Sequence, residues 1–409
     1  MTDIVSRYLR PGTLQLGDPP PLSLYIHLPW CLAKCPYCDF NSHAAPRDAE
    51  GRAALPEDRY IEAVLADLMA ALPQVWGRPV ASIFIGGGTP SLFSPDGIDR
   101  LLTQVRTLLP TLPGCEITLE ANPGTFERDR FRAFRKAGVT RLSIGVQSFD
   151  DAMLRRLGRV HDGAQARAAV AEAAACFDTF NLDLMYALPG QSLAHLHGEL
   201  DTALGFNPPH LSIYHLTVEP NTRFANEPPP DLPDDDLASE MLDAIVARTA
   251  GAGLQRYEVS AFARGGHRCL HNLNYWQFGD YLGLGAGAHG KLSYPHRIVR
   301  QVRWRDPATY VEKALSADAG QAMSNDEEVA RRQLPFEYML NALRLKDGFS
   351  IAQFRERTGL PPSAIARGLD EAERRGLIER VGLGDDTQVR PSARGFDFLS
   401  DVQALFLAD

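Results

Sequence analysis

The feature that most restricts the fold is an alternation of strand-like and helix-like segments across the first half of the chain. Residues 22–28 are rich in strand formers and stop at Pro29. Ile61, Val64, Leu65, Leu68, Met69 and Leu72 then recur at helical spacing and mark one apolar face. A short strand at 81–85 runs into three glycines. Further strands are expected at 116–120, 140–146, 180–185 and 211–216, with helices at 129–137, 163–176 and 193–204. Strands separated by helices of this length imply βαβ units and a parallel sheet. About six units fit before residue 220, fewer than the eight of a full barrel.

Beyond that point the pattern changes. The Pro- and Asp-rich stretch 227–236 reads as an exposed loop, 237–250 as a helix and 255–260 as one more strand. Residues 265–305, rich in glycine and aromatics, look irregular. From Asn325 onward the chain looks helical, with short strands at 377–381 and 388–390. That order suggests a small winged-helix-like module. The expected organisation is an N-terminal extension (1–21), an α/β core (22–250), a connecting region (251–324) and the helical module (325–409).

Charge bears on whether that module binds DNA. Residues 331–409 hold 12 basic and 12 acidic side chains, and the whole chain carries a formal charge of −9. Phosphate binding needs a surplus of positive charge, so no nucleic-acid partner is expected. No stretch approaches the roughly 18 apolar residues of a membrane span. The N-terminus lacks a basic region followed by an apolar core, so a cytoplasmic protein without a signal peptide is expected.

Cys31, Cys35 and Cys38 form C-x3-C-x2-C directly after the first strand. Clustered free thiols are a redox liability, which argues that they hold something. Thiolates suit iron–sulfur clusters or zinc. His27 and His43 offer the further ligands a zinc site requires. A four-iron cluster usually takes four cysteines, so three leave one iron open to an exogenous ligand. Cys115 and Cys176 read as structural.

This motif, with Tyr37 just before its last cysteine, resembles the radical S-adenosylmethionine (SAM) superfamily. The resemblance implies a partial (β/α)6 barrel and a [4Fe-4S] cluster on the three cysteines. SAM would chelate the open iron. Gly86-Gly87-Gly88-Thr89-Pro90 after the second strand is similar to the superfamily's GGxTP loop, which meets the SAM amino group through backbone. Glu120, Gln147, Arg159 and Asp183 fall at or beyond strand C-termini, the face where such barrels gather their sites. They resemble the SAM-contact residues of the coproporphyrinogen-oxidase-like branch. The same likeness assigns Tyr25, Gly87, Gly88 and Thr89 to the SAM pocket, with Arg141 a nearby candidate.

Two families of that branch compete: oxygen-independent coproporphyrinogen III dehydrogenases of heme synthesis (HemN), and heme chaperones (HemW). HemN proteins carry a further cysteine two positions after the third; here Phe40 stands there. They also have a longer N-terminal arm. Both departures resemble HemW instead. Cys269-Leu270-His271-Asn272-Leu273-Asn274-Tyr275-Trp276 matches the HNxxYW motif associated with heme in HemW. An imidazole is a good axial ligand, and Tyr275 and Trp276 offer flat faces to a porphyrin. The resemblance thus implies heme near His271, with Cys269 either a second ligand or a buried small side chain. It implies delivery of heme to acceptor hemoproteins such as respiratory enzymes, with transient membrane-protein contact and a homodimer among its possible associations. SAM would serve either a radical step or the stability of the cluster or a dimer. The competing reading is oxidative decarboxylation of porphyrinogen propionates.

Overall fold

Six parallel strands lie side by side in chain order: β1 (Leu22–Leu28), β2 (Val80–Gly87), β3 (Thr111–Ala121), β4 (Arg141–Gln147), β5 (Phe180–Tyr186) and β6 (His210–His215). The computed structural model describes residues 12–124, 127–318 and 320–407; the first eleven residues of the expected extension lie outside them. Helices α1 (Glu57–Ala71), α2 (Pro95–Leu108), α3 (Glu127–Ala137), α4 (Asp151–Arg156), α5 (Gly163–Cys176), α6 (Leu193–Gly205) and α7 (Asp235–Gly251) supply the crossovers and cover. The expected parallel sheet and its six units are therefore present.

The strands alternate, and the alternation fixes which face does what. Leu24, Ile26, Ile83, Ile85, Leu119, Leu142, Ile144, Leu182, Leu211 and Ile213 are buried in one apolar core with the helices. The opposite face is polar: Ser23 bonds Ser82 at 2.7 Å, Arg141 pairs with Glu116 at 2.8 Å, and Asn181 bridges Ser143 and Asp183. A buried parallel sheet usually reads as unbroken apolar runs. Here a polar interior replaces the second apolar layer.

After β6 a hairpin, β7 (Gln255–Arg256) and β8 (Ala261–Ala263), pairs antiparallel to that edge. The chain then returns through helix α8 (Leu270–Trp276) to the far side. There β9 (Asp280–Leu284) joins β1 in parallel, and β10 (His289–Tyr294), β11 (Arg297–Arg303) and β12 (Met323–Glu328) extend the sheet antiparallel. Twelve strands form one sheet.

Three expectations are corrected here. Residues 265–305 are not irregular; the glycines of 283–290 break the period-two pattern without breaking the strands. Gly283 is required, because a Cβ there would lie 2.0 Å from the His289 carbonyl oxygen. The segment after Asn325 begins inside β12, an edge strand whose polar Ser-Asn-Asp-Glu-Glu run hides it. The strand expected at 255–260 is the β7–β8 hairpin.

The C-terminal part has its own core, built on α10 (Leu334–Ala342), α11 (Ile351–Thr358) and α12 (Ala366–Arg374); α9 (Pro307–Ala314) belongs to the sheet domain. A small sheet, in order β13 (Phe349–Ser350), β15 (Gln388–Pro391), β14 (Ile378–Val381), completes the winged arrangement. Leu14 and Leu16, from the N-terminal extension, are buried in this second core.

Candidate functional site

The first loop is clamped before it reaches its cysteines. Gly88 N–H donates to the Leu28 carbonyl and Thr89 N–H to the Trp30 carbonyl, both at 2.8 Å, so the glycine loop after β2 lies on the cysteine loop after β1. A Cβ at Gly88 would sit 2.6 Å from the Trp30 carbonyl oxygen, and Gly87 has φ 121°. The glycines are a packing requirement at this crossing.

Each of these three cysteine sulfurs has a polar neighbour at 3.5 Å. Thr89 Oγ1 donates to Cys31 Sγ, Arg159 Nη1 donates to Cys35 Sγ, and Ser42 Oγ pairs with Cys38 Sγ. Arg159 also donates to Asn122 Oδ1 at 2.6 Å and to the Gly145 carbonyl at 2.8 Å; Asn122 in turn donates to Thr89 Oγ1 at 2.7 Å. Thr89 and Arg159 thus donate to two of the sulfurs, while burial raises the Cys31 thiol above its ordinary value. The three sulfurs do not all lie within 4.8 Å of one another. That is too wide for one zinc ion with Zn–S bonds of about 2.3 Å. A four-iron cube binds each thiolate on a different iron and accepts a wider triangle. His27 does not complete a zinc set either: Nδ1 pairs with Tyr25 Oη at 2.7 Å and Nε2 with the Asn41 carbonyl at 3.0 Å.

A cavity of about 380 Å³ joins this loop, which follows β1, to the ends of β2 through β6. Its lining includes Cys31, Cys35, Cys38, Gly87, Gly88, Thr89, Glu120, Gln147, Arg159 and Asp183. The structure thus brings together ten of the expected residues. One cavity bordered by β2 through β6 and by the loop after β1 also requires the sheet to curl around its polar face.

Two buried carboxylates on its strands, Glu120 and Asp183, face that cavity without an ion pair among the described residues. Burial first, then Asp183, pushes the Glu120 carboxyl up to about 8 against the one bond it accepts from Gly87 N–H at 3.0 Å. Burial pushes Asp183 up to about 6, opposed by Asn181 and Ser143. A sulfonium or ammonium group placed here would restore both to carboxylate. Gln147 sits at the β4 end with φ 64°, a left-handed conformation held where the strand register shifts.

Tyr25 lies elsewhere. It stacks on Phe84 and lines a second cavity, of about 570 Å³, between β1, α8 and the β9–β11 strands. The two cavities share Asp39, Phe40, Gly87 and Glu120 as a common wall. Phe40, at the position of the missing cysteine, is 60% exposed on both rims. From α8, Tyr275 and Trp276 reach the second cavity. His271 does not line it.

His271 lies one helical turn deeper than Tyr275, at the bottom of the polar interior. Its ring stacks on Phe84 at 4.1 Å, and Nδ1 is 3.0 Å from Cys269 Sγ. Burial, then the nearby Arg141 charge, lowers it to about 3, so it is neutral. Cys269 Sγ and Leu270 N–H also approach Glu116 Oε1, at 3.6 and 2.8 Å. Arg141 is committed to Glu116 and to the His267 carbonyl, away from both cavities. Cys115 and Cys176 are half-buried and stand apart from the other thiols.

Sequence reasoning missed Ser42, Asn122, Ser143 and Tyr214 as parts of the site. The available signal was the polar alternation of β3 to β6, whose inward residues cannot belong to an apolar layer.

Comparison with known proteins agrees with this geometry. A family model described as the radical SAM superfamily matches residues 25–203, and one described as the HemN C-terminal domain matches 329–398. A protein named heme chaperone HemW from Escherichia coli is 45% identical, covering 95% of this chain and 99% of that one. One of the same name from Bacillus subtilis is 34% identical, covering 82% and 87%. The solved structure of coproporphyrinogen III oxidase (HemN) from Escherichia coli, a radical SAM enzyme, superposes with a TM-score of 0.78 at 22% identity, covering 95% and 90%. That likeness carries the fold, a mixed α/β radical SAM architecture. The chain belongs to the HemW family of the radical SAM superfamily. Membership of the superfamily implies a [4Fe-4S] cluster and SAM. No helix among the described residues is long and apolar enough to cross a membrane.

Proposed function

We propose that this protein is a heme chaperone that carries a [4Fe-4S] cluster on Cys31, Cys35 and Cys38. SAM lies across Gly87, Gly88, Thr89, Glu120, Gln147, Arg159 and Asp183, with its cationic groups toward Glu120 and Asp183. Tyr25 supports the shared wall from the second cavity. Heme occupies that second cavity and passes to acceptor hemoproteins in the cytoplasm.

The observation that carries this reading is the second cavity itself. Its volume falls within the roughly 300–1,000 Å³ of sites that enclose a sizeable ligand. Tyr275 and Trp276 supply flat apolar faces, and Arg305 supplies a cation toward which a carboxylate can turn. It adjoins the cluster cavity, so heme and SAM would be held by one wall.

Anaerobic titration of cluster-loaded protein with heme tests the reading. Saturable binding of one heme per chain, followed by transfer to an apo-hemoprotein, is the expected result. Absence of saturable binding would overturn it. Vinyl product from coproporphyrinogen III in the presence of SAM and reductant would instead make the protein an enzyme of heme synthesis.

A further inference from the structure

We propose that His289, rather than His271, is the protein ligand to heme iron, in the cavity beside the cluster. The inference rests on the heme reading above and names the side chain that would hold the metal.

Three histidines invite comparison. Both ring nitrogens of His27 are engaged, by Tyr25 and by the Asn41 carbonyl. His271 is 6% exposed, covered by Phe84 and Cys269, and lines neither cavity. His289 is exposed and lines the second cavity, and its imidazole has no hydrogen-bond partner among the described residues. It is the only one of the three that presents an uncommitted imidazole to that space.

Its position is built rather than incidental. His289 opens β10, after the turn Gly285-Ala286-Gly287, where both glycines have positive φ (100° and 76°). Asn41, from the cysteine loop, donates to the Ala286 carbonyl at 3.0 Å and to the Arg305 carbonyl at 2.8 Å. A Cβ at Gly287 would lie 2.3 Å from Asn41 Nδ2. The cluster loop therefore latches the turn that carries His289. Partial desolvation beside the cavity, then the charges of Arg300 and Arg305, lowers its ring from the ordinary histidine value and favours the neutral form that ligates metals.

The cavity's cations point the same way. Lys291 is committed to Asp280, and Arg300 to Glu337 and the Tyr281 hydroxyl. The Arg305 side chain is exposed at the rim and has no partner among the described residues. A guanidinium there suits a heme propionate.

The test titrates iron(III) protoporphyrin IX anaerobically into the cluster-loaded full chain. Wild type, His289→Ala and His271→Ala are compared by affinity and by the EPR signal of the ferric heme. His289→Ala should weaken binding about tenfold or more and lose the imidazole-ligated signal. Free imidazole added to that variant should restore the signal, which a misfolded protein would not allow. Arg305→Ala should weaken binding of heme but not of its dimethyl ester. If His289→Ala matches wild type, or if His271→Ala alone abolishes the signal, the ligand assignment falls while heme binding stands. If wild type shows no saturable binding, the heme reading fails and the assignment with it.

Discussion

Glu120 lies on the wall between two cavities, and its state depends on what fills them. Its folded value of about 8 exceeds the usual carboxylate value, so the folded protein resists its ionisation. The penalty begins above the unfolded value, near 4.5, and is complete above about 8. Glu120→Gln should therefore stabilise the ligand-free protein little at pH 5 and by about 1 kcal/mol at pH 8, allowing for water in the cavity. Melting curves across that range check the trend. SAM binding should reverse the sign, because a cation makes the carboxylate favourable. At pH 7 binding should release protons, and Glu120→Gln should release fewer, measured by calorimetry in buffers of different ionisation enthalpy. The cysteine sulfurs give a second residue-scale expectation. Hydrogen bonds to cluster sulfurs stabilise the reduced state and raise the potential. Ser42→Ala removes the neighbour of Cys38 Sγ and should lower the cluster potential in an EPR-monitored redox titration. Ser42 escaped the sequence reading because serine is a common loop residue, and only the fold turns it toward a sulfur.

At the scale of elements, the loop after β2 and helix α8 do the positioning. Gly88 packs on the Trp30 backbone, which cannot retreat without moving the cysteine loop. Gly88→Ala should cost about 1–3 kcal/mol of stability and reduce cluster retention, read as iron and sulfide content after reconstitution. That loop was legible from its motif, and β1 through β6 from their apolar spacing. The β9–β11 strands were not, because glycines occupy positions where other strands pass closely, and glycine carries no pattern. Helix α8 shows a different limit. The motif was visible, yet His271 and Tyr275 sit one turn apart on it, and only the packing against Phe84 shows which reaches the cavity.

Among the described residues the two largest apolar cores belong to the sheet and to the C-terminal part, and residues 14–16 help tie them together. Leu14 and Leu16 pack among α10 to α12, although more than 300 residues separate them in sequence. Main-chain bonds from Leu14 and Leu16 to the carbonyls of His296 and Pro295 add the sheet's β10–β11 turn to the same tie. Leu14→Ala should destabilise the protein by about 2–5 kcal/mol, seen in denaturant unfolding. No local pattern announces such a contact, because periodicity describes neighbours within an element and not partners across the chain. The same long-range closure builds the site. The return of β9 to β1 walls off the second cavity and sets it against the first. The central claim is that cluster and heme occupy adjoining cavities on the polar face of one sheet. The most direct measurement is the electron-spin relaxation of the reduced cluster in protein with and without one equivalent of ferric heme. Marked relaxation enhancement on heme binding, lost with His289→Ala, is the predicted result. A cluster signal unchanged by bound heme would place the heme elsewhere and contradict the account.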